Sequence, residues 1–484
     1  MSKDPSSFSS KLERLDIVLV LLYLALVVFG WMDGYSAVHI QEISAFSFEL
    51  RSGKQLLWIG LSLVTALCMV GFIPHRFYET LAVPIYLLSL MLLVAVLLVG
   101  TSVNGSHSWI VLGPVSFQPA EIVKISTALL LAKAMSAYGF DLKKRSHFLR
   151  TCGIILLPIA LILMENETGC ALVLLGFIIP LYREGLSGWY IVLAFTIVLL
   201  FILTLTISPL IAILISVFVG TLSCEYNEGS VIRWCYTTLP AILAVTVWVF
   251  VHDKVLEPGT TAAAILKPAN IMIAGGAVGV FFYIRRLLRN LNPFRLFSLG
   301  AILLCIVFSL SVNFIFNHAL QEHQRQRIEV LLGMKEDVSG AGYNLHQSLI
   351  AIGSGGLNGK GFLHGTQTTY GFVPEQSTDF IFCTVGEEWG FVGCTFVIVL
   401  YALMIFWIIQ DAEKAREAYT RIYGYCLACC LFMHLFINIG MTVGLMPVIG
   451  IPLPFLSYGG SSLWAFTTML FIFLALNRQE NKYF

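Results

Sequence analysis

The chain has 484 residues, of which 58% are hydrophobic and 12% are charged, and its mean hydropathy is +0.85. A typical soluble domain carries about 25% charged residues, so this chain cannot cover itself with a water-compatible surface. The composition excludes a cytosolic enzyme, a disordered chain and a disulfide-rich secreted module, and it indicates a polytopic membrane protein. The formal net charge of +1 gives no reason to expect nucleic acid as a partner.

Apolar runs of the length that a membrane helix needs recur along the whole chain. They predict an all-α, polytopic membrane helical bundle with about fourteen spans. The first run follows Lys3, Lys11 and Arg14 and is read as an uncleaved span, because no clear small-x-small cleavage site follows it. The predicted spans lie near 15–32, 54–73, 79–100, 118–138, 149–164, 168–183, 187–206, 208–222, 235–252, 269–285, 296–317, 379–410, 421–446 and 459–476.

The distribution of Lys and Arg among the loops predicts the orientation. With the N-terminus inside, the inside loops hold more cations than the outside loops, so the N-tail 1–14 and the C-tail 477–484 are both expected in the cytoplasm. This topology places one long loop, 318–378, and a second loop, 101–117, on the outer face. We therefore expect any chemistry to face outward.

The long loop is rich in glycine and carries an adjacent acid pair, Glu336 and Asp337. Its glycines would let backbone N–H groups face a polar or anionic substrate, although a flexible loop explains the same pattern. Its cations suit a phosphate-bearing substrate but are equally explained as solvated charges: Arg325, Arg327, Lys335 and Lys360. The glycine run 353–361 is not a P-loop, because Ser354 and Gly361 stand where that motif needs Gly and Ser or Thr.

Several ionisable residues are predicted inside or between spans. Glu121 and Lys124 follow Pro119 and are three residues apart, so they share one helical face as either a functional site or a structural ion pair. Glu165 and Glu167 interrupt two spans and mark either a water-filled cavity or an outer turn. Trp109 is interpreted as an interfacial anchor or a substrate platform. His252 and His434 are expected to be packing residues, and Cys426, Cys429 and Cys430 are expected to be small apolar residues rather than a metal site.

Taken together, these segments resemble the SEDS family (shape, elongation, division and sporulation), and within it the RodA-type elongation branch over the FtsW-type division branch. The resemblance covers about 15–207 and 296–476. The segments that carry it are Gln118 to Lys124, 340–348, 351–361, 365–367, 374–382, 386–393 and 450–462.

The resemblance implies a peptidoglycan glycosyltransferase in the bacterial cytoplasmic (inner) membrane. Its substrate would be lipid II, and its partners would be a class B penicillin-binding protein and other elongation complex proteins. Asp337 would be the general base, and a divalent cation, Mg or Mn, would assist. The implied substrate-binding residues are Trp109, Glu121, Lys124, Glu167, Arg325, Arg327, Lys360, Glu375 and Asp379.

The chain departs from the family pattern in three places. Ser108 stands where the family usually has Arg before the tryptophan, and Glu167 stands where it usually has Asp. The range 208–295 resembles an insertion of about four spans into a ten-span core made of 15–207 and 296–476, an even number that keeps the long loop outside.

Two other functions fit the composition. A transporter that flips lipid-linked precursors would place ionisable residues at the bilayer midplane, and Glu121, Lys124 and Glu167 are open to that interpretation. A catalytically silent scaffold is the other alternative. The absence of a clear inverted repeat and the polar outer loop favour the enzyme.

Overall fold

The structure is a computed structural model that describes residues 16–39, 46–48, 50–103, 106–112, 115–206, 209–227, 293–318, 325–326, 329 and 342–480. It confirms the predicted fold class, an all-α polytopic membrane helical bundle. Eight helices in these ranges are long and apolar enough to cross a membrane, and shorter apolar helices accompany them. The spans predicted between 235 and 285 lie outside the described residues.

The helices follow the predicted spans closely. The first eight are α1 (Ile17–Ser36), α2 (Arg51–Gly71), α3 (His75–Val99), α4 (Pro119–Met135), α5 (Arg145–Met164), α6 (Thr168–Leu175), α7 (Ile178–Arg183) and α8 (Trp189–Thr206). They are followed by α9 (Pro209–Asn227), α10 (Pro293–His318), α11 (Tyr343–Gly355), α12 (Thr366–Thr369), α13 (Ile381–Lys414), α14 (Ala418–Thr442) and α15 (Gly460–Glu480).

The predicted outer loop 101–117 contains a small antiparallel sheet. Its three strands, β1 (Thr101–Val103), β2 (Ser106–Leu112) and β3 (Val115–Phe117), pair in sequence order. Strand β2 lies against α3 and α4. The sheet therefore holds the strand that carries Trp109 against α4, which begins with Pro119, a residue without a backbone N–H group to leave unpaired.

Local chemistry sets where α1 begins and how it is anchored. The Asp16 carboxylate accepts hydrogen bonds from the backbone N–H groups of Val18 and Leu19, at 2.8 and 3.2 Å. Its second oxygen accepts from Trp407 Nε1 of α13 at 3.0 Å. One side chain thus caps α1 and fastens it to the long helix α13.

Helix α13 is interrupted by a kink at Gly390, where φ is 65° and ψ is −158°. The break leaves backbone groups without helical partners, and the 356–361 segment pairs with them. The N–H groups of Phe391 and Val392 donate to the carbonyls of Gly356 and Leu357 at 2.9 and 3.1 Å. This pairing fixes part of the predicted long loop directly onto α13.

The chain divides into two compact units. The first comprises 1–191 and 337–484, and α14 and α15 are its most deeply buried long helices. The second comprises 192–336. Within the second unit α9 and α10 pack together, and Gly220 lies so close to Ile302 that a Cβ atom would clash with its side chain. Most of the range 208–295 predicted as an insertion lies outside the described residues, so its role stays a prediction.

Candidate active site

The first part of the site is a buried ion pair on the first turns of α4. Lys124 Nζ lies 3.0 Å from Glu121 Oε1 and 2.9 Å from Glu121 Oε2, and the two side chains are 2% and 1% exposed. The predicted sharing of one helical face is confirmed. An isolated charge at this depth is costly, and in this pair each charge faces an opposite one.

His434 of α14 completes the environment of the Lys124 ammonium. Its Nε2 lies 2.9 Å from Lys124 Nζ, and its Nδ1 lies 2.9 Å from the carbonyl oxygen of Pro452. An ammonium only donates and a carbonyl only accepts, so the ring carries its proton on Nδ1 and accepts at Nε2. The Phe466 ring covers the ammonium, with its centroid 4.7 Å from Nζ. Sequence reasoning placed His434 in the core but missed this contact.

Asn438, one turn after His434, ties two loop segments to α14. Its Nδ2 donates to the carbonyl of Asp379 at 2.8 Å and to the carbonyl of Ile451 at 2.7 Å. His434 and Asn438 therefore hold the 451–452 segment and the turn that carries Asp379 against the same helix. No sequence spacing signalled this role for Asn438.

Asp379 precedes α13 and is a partly buried carboxyl in a negative environment. Burial raises its pKa to about 7, and the nearby carboxylates of Glu375 and Glu167 contribute to the rise. A carboxyl with this pKa exchanges protons near neutral pH. The structure thus brings Asp379 within electrostatic reach of Glu167, from a different part of the chain.

Glu165 and Glu167 lie in the turn between α5 and α6, where Asn166 adopts a positive φ of 60°. Within the described part of the chain the Glu165 carboxyl is buried without a hydrogen-bond partner. Burial and the neighbouring Glu167 carboxylate raise its pKa to about 8. The Glu167 carboxylate accepts a hydrogen bond from Ser108 Oγ at 3.3 Å.

Helix α6 connects this turn to the ion pair. Gly169 packs so tightly against Ile451 that a Cβ atom would clash with the isoleucine side chain. Cys170, the next residue, lies within electrostatic range of Lys124, Glu121 and Glu167. Four residues predicted to bind substrate therefore converge in the first unit: Glu121, Lys124, Glu167 and Asp379.

Lys360 and Glu387 form a second ion pair, in which Glu387 is buried and Lys360 is partly exposed. Lys360 Nζ lies 2.7 Å from Glu387 Oε1 and 2.8 Å from Thr366 Oγ1. The Glu387 carboxylate also accepts from the backbone N–H groups of Gln367 and Thr368, both at 2.9 Å. Glu387 thus ties α12 and Lys360 to α13.

The glycine run 353–361 has a different role from the predicted one. The backbone N–H groups of Lys360 and Gly361 donate to the carbonyls of Glu387 and Glu388, at 3.0 and 2.9 Å, and do not face a substrate. A Cβ atom at Gly359, whose φ is 77°, would clash with the Glu388 carbonyl. Glycine is needed here because one backbone segment lies directly against another.

The remaining predicted residues fall in separate places. Trp109 lies on β2, partly buried. Glu375 pairs with Arg51 of α2, at 3.3 Å from Arg51 Nη1 to Glu375 Oε2. Arg325 belongs to the second unit and pairs with Glu329 at 2.7 Å. Asp337 and Arg327 lie outside the described residues, as do Lys335, Glu336 and His252.

Metal binding was tested on the donor groups that the structure describes. Among the described residues no group of three His, Cys, Asp or Glu side chains could hold a metal ion. Cys426, Cys429 and Cys430 are buried free thiols of α14, which agrees with their interpretation as small apolar residues. A Mg²⁺ ion needs only one or two protein carboxylates when phosphate oxygens supply further ligands, so the expected divalent cation stays a prediction.

Comparisons with known proteins give a consistent result. A family model described as "Cell cycle protein", for FtsW, RodA and SpoVE, matches residues 15–229 and 274–482. Peptidoglycan glycosyltransferase RodA of Treponema pallidum is 31% identical over 96% of this chain and 98% of its own length. Peptidoglycan glycosyltransferase MrdB of Escherichia coli K12 is 30% identical over 93% of this chain and 90% of its own length.

Two solved structures share the fold. The crystal structure of Thermus thermophilus rod shape determining protein RodA has a TM-score of 0.54 and 23% identity, covering 96% of this chain and 97% of that one. A chain from a study of "structural coordination of polymerization and crosslinking by a peptidoglycan synthase complex" has a TM-score of 0.57 and 23% identity, covering 96% and 98%. At this identity the two structures establish the fold alone.

Proposed function

Because the chain belongs to the FtsW, RodA and SpoVE family of cell cycle proteins, we propose that it is a peptidoglycan glycosyltransferase of the RodA type. It polymerises lipid II into β-1,4-linked glycan strands during cell elongation. The observation that supports this most directly is the convergence of Glu121, Lys124, Glu167 and Asp379, which come from three separate segments of the chain.

The reaction is an inverting transfer. Asp337 takes the proton from the acceptor 4-hydroxyl, and the resulting oxygen nucleophile attacks the anomeric carbon of the donor sugar. The bond to the diphosphate oxygen breaks, and the undecaprenyl diphosphate leaves with the electron pair. The donor is α-linked and the product β-linked, which one in-line displacement accounts for.

Cations stabilise the diphosphate as it leaves. The candidates are Lys124, Arg325, Arg327 and Lys360. Lys124 and Lys360 each have a carboxylate partner, Glu121 and Glu387, which holds the ammonium at a defined place. Trp109 offers a flat surface for a sugar ring, and Glu167, Glu375 and Asp379 complete the proposed substrate-binding set.

A divalent cation, Mg or Mn, is part of the proposal. Such an ion neutralises diphosphate oxygens, and it takes oxygen ligands.

The chain is a multi-pass membrane protein. We propose that it resides in the bacterial cytoplasmic (inner) membrane with both termini in the cytoplasm, as the distribution of Lys and Arg among the loops favours. Its partners in this proposal are a class B penicillin-binding protein, which crosslinks the peptides, and other elongation complex proteins. The likeness to a chain of a peptidoglycan synthase complex supports the first of these.

A polymerisation assay tests the function. The purified full chain, bound to its cognate penicillin-binding protein, is incubated with labelled lipid II and a divalent cation, and the products are resolved by glycan length. We expect a ladder from the wild type and none from Asp337→Asn, which removes the base with little change in shape. Asp141→Asn, on an exposed loop between α4 and α5, is the matched control and should give the wild-type ladder.

Two outcomes would change the proposal. An unchanged ladder from Asp337→Asn would keep the enzyme but remove Asp337 as the base. No ladder from a folded, partner-bound wild type would contradict the glycosyltransferase, and a liposome assay for flipping of lipid-linked precursors would then test the transporter.

A further inference from the structure

Arg51, the first residue of α2, reaches across to the turn that precedes α13. Its Nη1 donates to Ser377 Oγ at 2.9 Å and lies 3.3 Å from Glu375 Oε2. Its guanidinium carbon lies 5.9 Å from the centroid of the Tyr458 ring. One cation therefore contacts two residues of the turn and one residue of the segment before α15.

The turn is also held by its own backbone and by the backbone of Tyr458. The N–H groups of Thr378 and Phe380 both donate to the carbonyl of Glu375, at 3.2 Å each. The N–H group of Tyr458 donates to the carbonyl of Ser377 at 2.8 Å. Glu375 has a φ of 52°, a conformation that a non-glycine residue keeps only when its surroundings hold it there.

This held turn carries Asp379 into the site. The Asp379 carbonyl accepts from Asn438, and its carboxyl lies beside Gly450, where a Cβ atom would be 3.1 Å from Oδ2. Little space is left for the turn to shift without moving this carboxyl. The position of Asp379 therefore depends on the contacts that fix residues 375–378.

We infer that Arg51 is a positioning residue for the glycosyltransferase site, which locks the 375–380 turn and offsets the Glu375 charge so that Asp379 keeps its place. Arg51 acts through Glu375 and Ser377 and not on the substrate itself. Glu375 is then the charged anchor of this contact. The inference rests on the proposed function and names a residue that the sequence did not single out.

The Arg51–Glu375 contact also changes the charge that surrounds Asp379. The groups that face Asp379 are Glu375 in its own turn and Glu167 from the turn before α6, both negative. Arg51 from α2 is the cation paired with Glu375, and Tyr458 lies on the far side of Arg51. Removing Arg51 leaves the Glu375 charge uncompensated and raises the pKa of Asp379 further, whereas neutralising Glu375 lowers it.

The test is the pH profile of lipid II polymerisation by the full chain with its penicillin-binding partner. Arg51→Gln should lower kcat/KM about tenfold or more, because a displaced active-site group is costly. The acid limb of its pH profile should move to higher pH. Glu375→Gln should move that limb to lower pH. Arg51→Lys keeps the positive charge but lacks the planar guanidinium with its several N–H donors. It should therefore recover the pH profile and only part of kcat/KM.

Lys54→Gln is the matched control, because Lys54 is an exposed cation one turn further along α2. It should behave as the wild type. The exchange Arg51→Glu with Glu375→Arg should recover activity relative to Arg51→Glu alone, which shows that the pair and not the fold is being tested.

Three results would overturn the inference while leaving the enzyme intact. They are an Arg51→Gln variant with wild-type kcat/KM and pH profile, a loss of kcat/KM without any shift of the acid limb, and no recovery in the charge exchange. An inactive wild type is a different result, because it contradicts the proposed function itself.

Discussion

Ser108 Oγ donates a hydrogen bond to Glu167 Oε2 over 3.3 Å. These are two of the places where the chain departs from the pattern of the family that it resembles, and they contact each other. Where relatives usually have the long Arg and the short Asp, this chain has the short Ser and the longer Glu.

We expect the two positions to be coupled in activity. Glu167→Asp withdraws the carboxylate by one methylene and should reduce polymerisation more than Ser108→Ala does. Adding Ser108→Arg to Glu167→Asp should restore activity, because the longer cation reaches the shorter acid. Polymerisation rates of the four chains, analysed as a double-mutant cycle, measure the coupling. Additive effects would contradict it.

The Glu121–Lys124 pair should dominate the stability of α4. Lys124→Met leaves a buried carboxylate without its cation, which should cost about 3–5 kcal/mol of unfolding free energy. Glu121→Leu combined with Lys124→Met removes both charges and should recover most of that loss. Thermal unfolding in detergent reports stability, and the lipid II assay reports function. The double variant should be folded but inactive, and an active one would exclude Lys124 from the site.

His434 should matter through its Nε2 acceptor. His434→Leu removes the acceptor and leaves one Lys124 N–H group unpaired. This should lower the free energy of unfolding by about 1–3 kcal/mol. His434→Gln keeps both an acceptor and a donor and should cost less. The ¹⁵N shifts of labelled histidine provide a direct check, because they distinguish the Nδ1–H tautomer from the Nε2–H tautomer. A proton on Nε2 would be inconsistent with the contact to Lys124.

Glu165 should make stability depend on pH. Its carboxyl has a pKa of about 8 in the folded chain, against an ordinary value of 4.5. Because the pKa of Glu165 is higher in the folded chain, the stability that its protonated form supports is fully present below pH 4.5. This stability is lost as pH rises toward 8. The loss is at most about 1.4 kcal/mol per pH unit. Glu165→Gln should unfold at a higher temperature than the wild type in alkali and at the same temperature in acid, and a constant difference would refute the assignment.

The glycine run should tolerate alanine at one position and not at another. Gly359→Ala places a Cβ against the Glu388 carbonyl at a positive φ and should detach the 356–361 segment from α13. Gly353→Ala is the control, because it lies in α11 with open space around it. The free energy of unfolding of this variant should rise by up to about 1 kcal/mol, because alanine has the higher helix propensity. Protease sensitivity of the 356–369 region and thermal unfolding would separate the two variants, and equal behaviour would contradict the packing role.

The fold was predictable because membrane helices are encoded by local composition. Runs of apolar residues predict α1 to α5 within a few residues of their observed bounds, whereas the single span predicted at 168–183 is two helices, α6 and α7. The placement of Glu121 and Lys124 on one helical face was also predictable, because residues three apart in a helix lie on the same face. The small sheet at 101–117 was not predicted, because its strands are short and lie in a segment assigned to a loop.

The site was predictable in its residues and much less in its contacts. The resemblance named Glu167, Asp379, Lys360 and Glu375, but not what each one touches. His434 and Lys124 are 310 residues apart, and nothing in the spacing of either one indicates the other. Arg51 was missed because a lone arginine at a helix start has no distinctive pattern, although it contacts a turn 326 residues away.

By itself, the sequence determined that this protein is a bundle of membrane helices and which short motifs belong to its family, because hydropathy and helical spacing are local properties. Only the tertiary structure decided that Lys124 is held by His434, that Ser108 meets Glu167, that Arg51 locks the turn of Asp379, and that the glycines serve close backbone packing. These contacts depend on which helix faces lie together, and that is set by packing across the whole bundle.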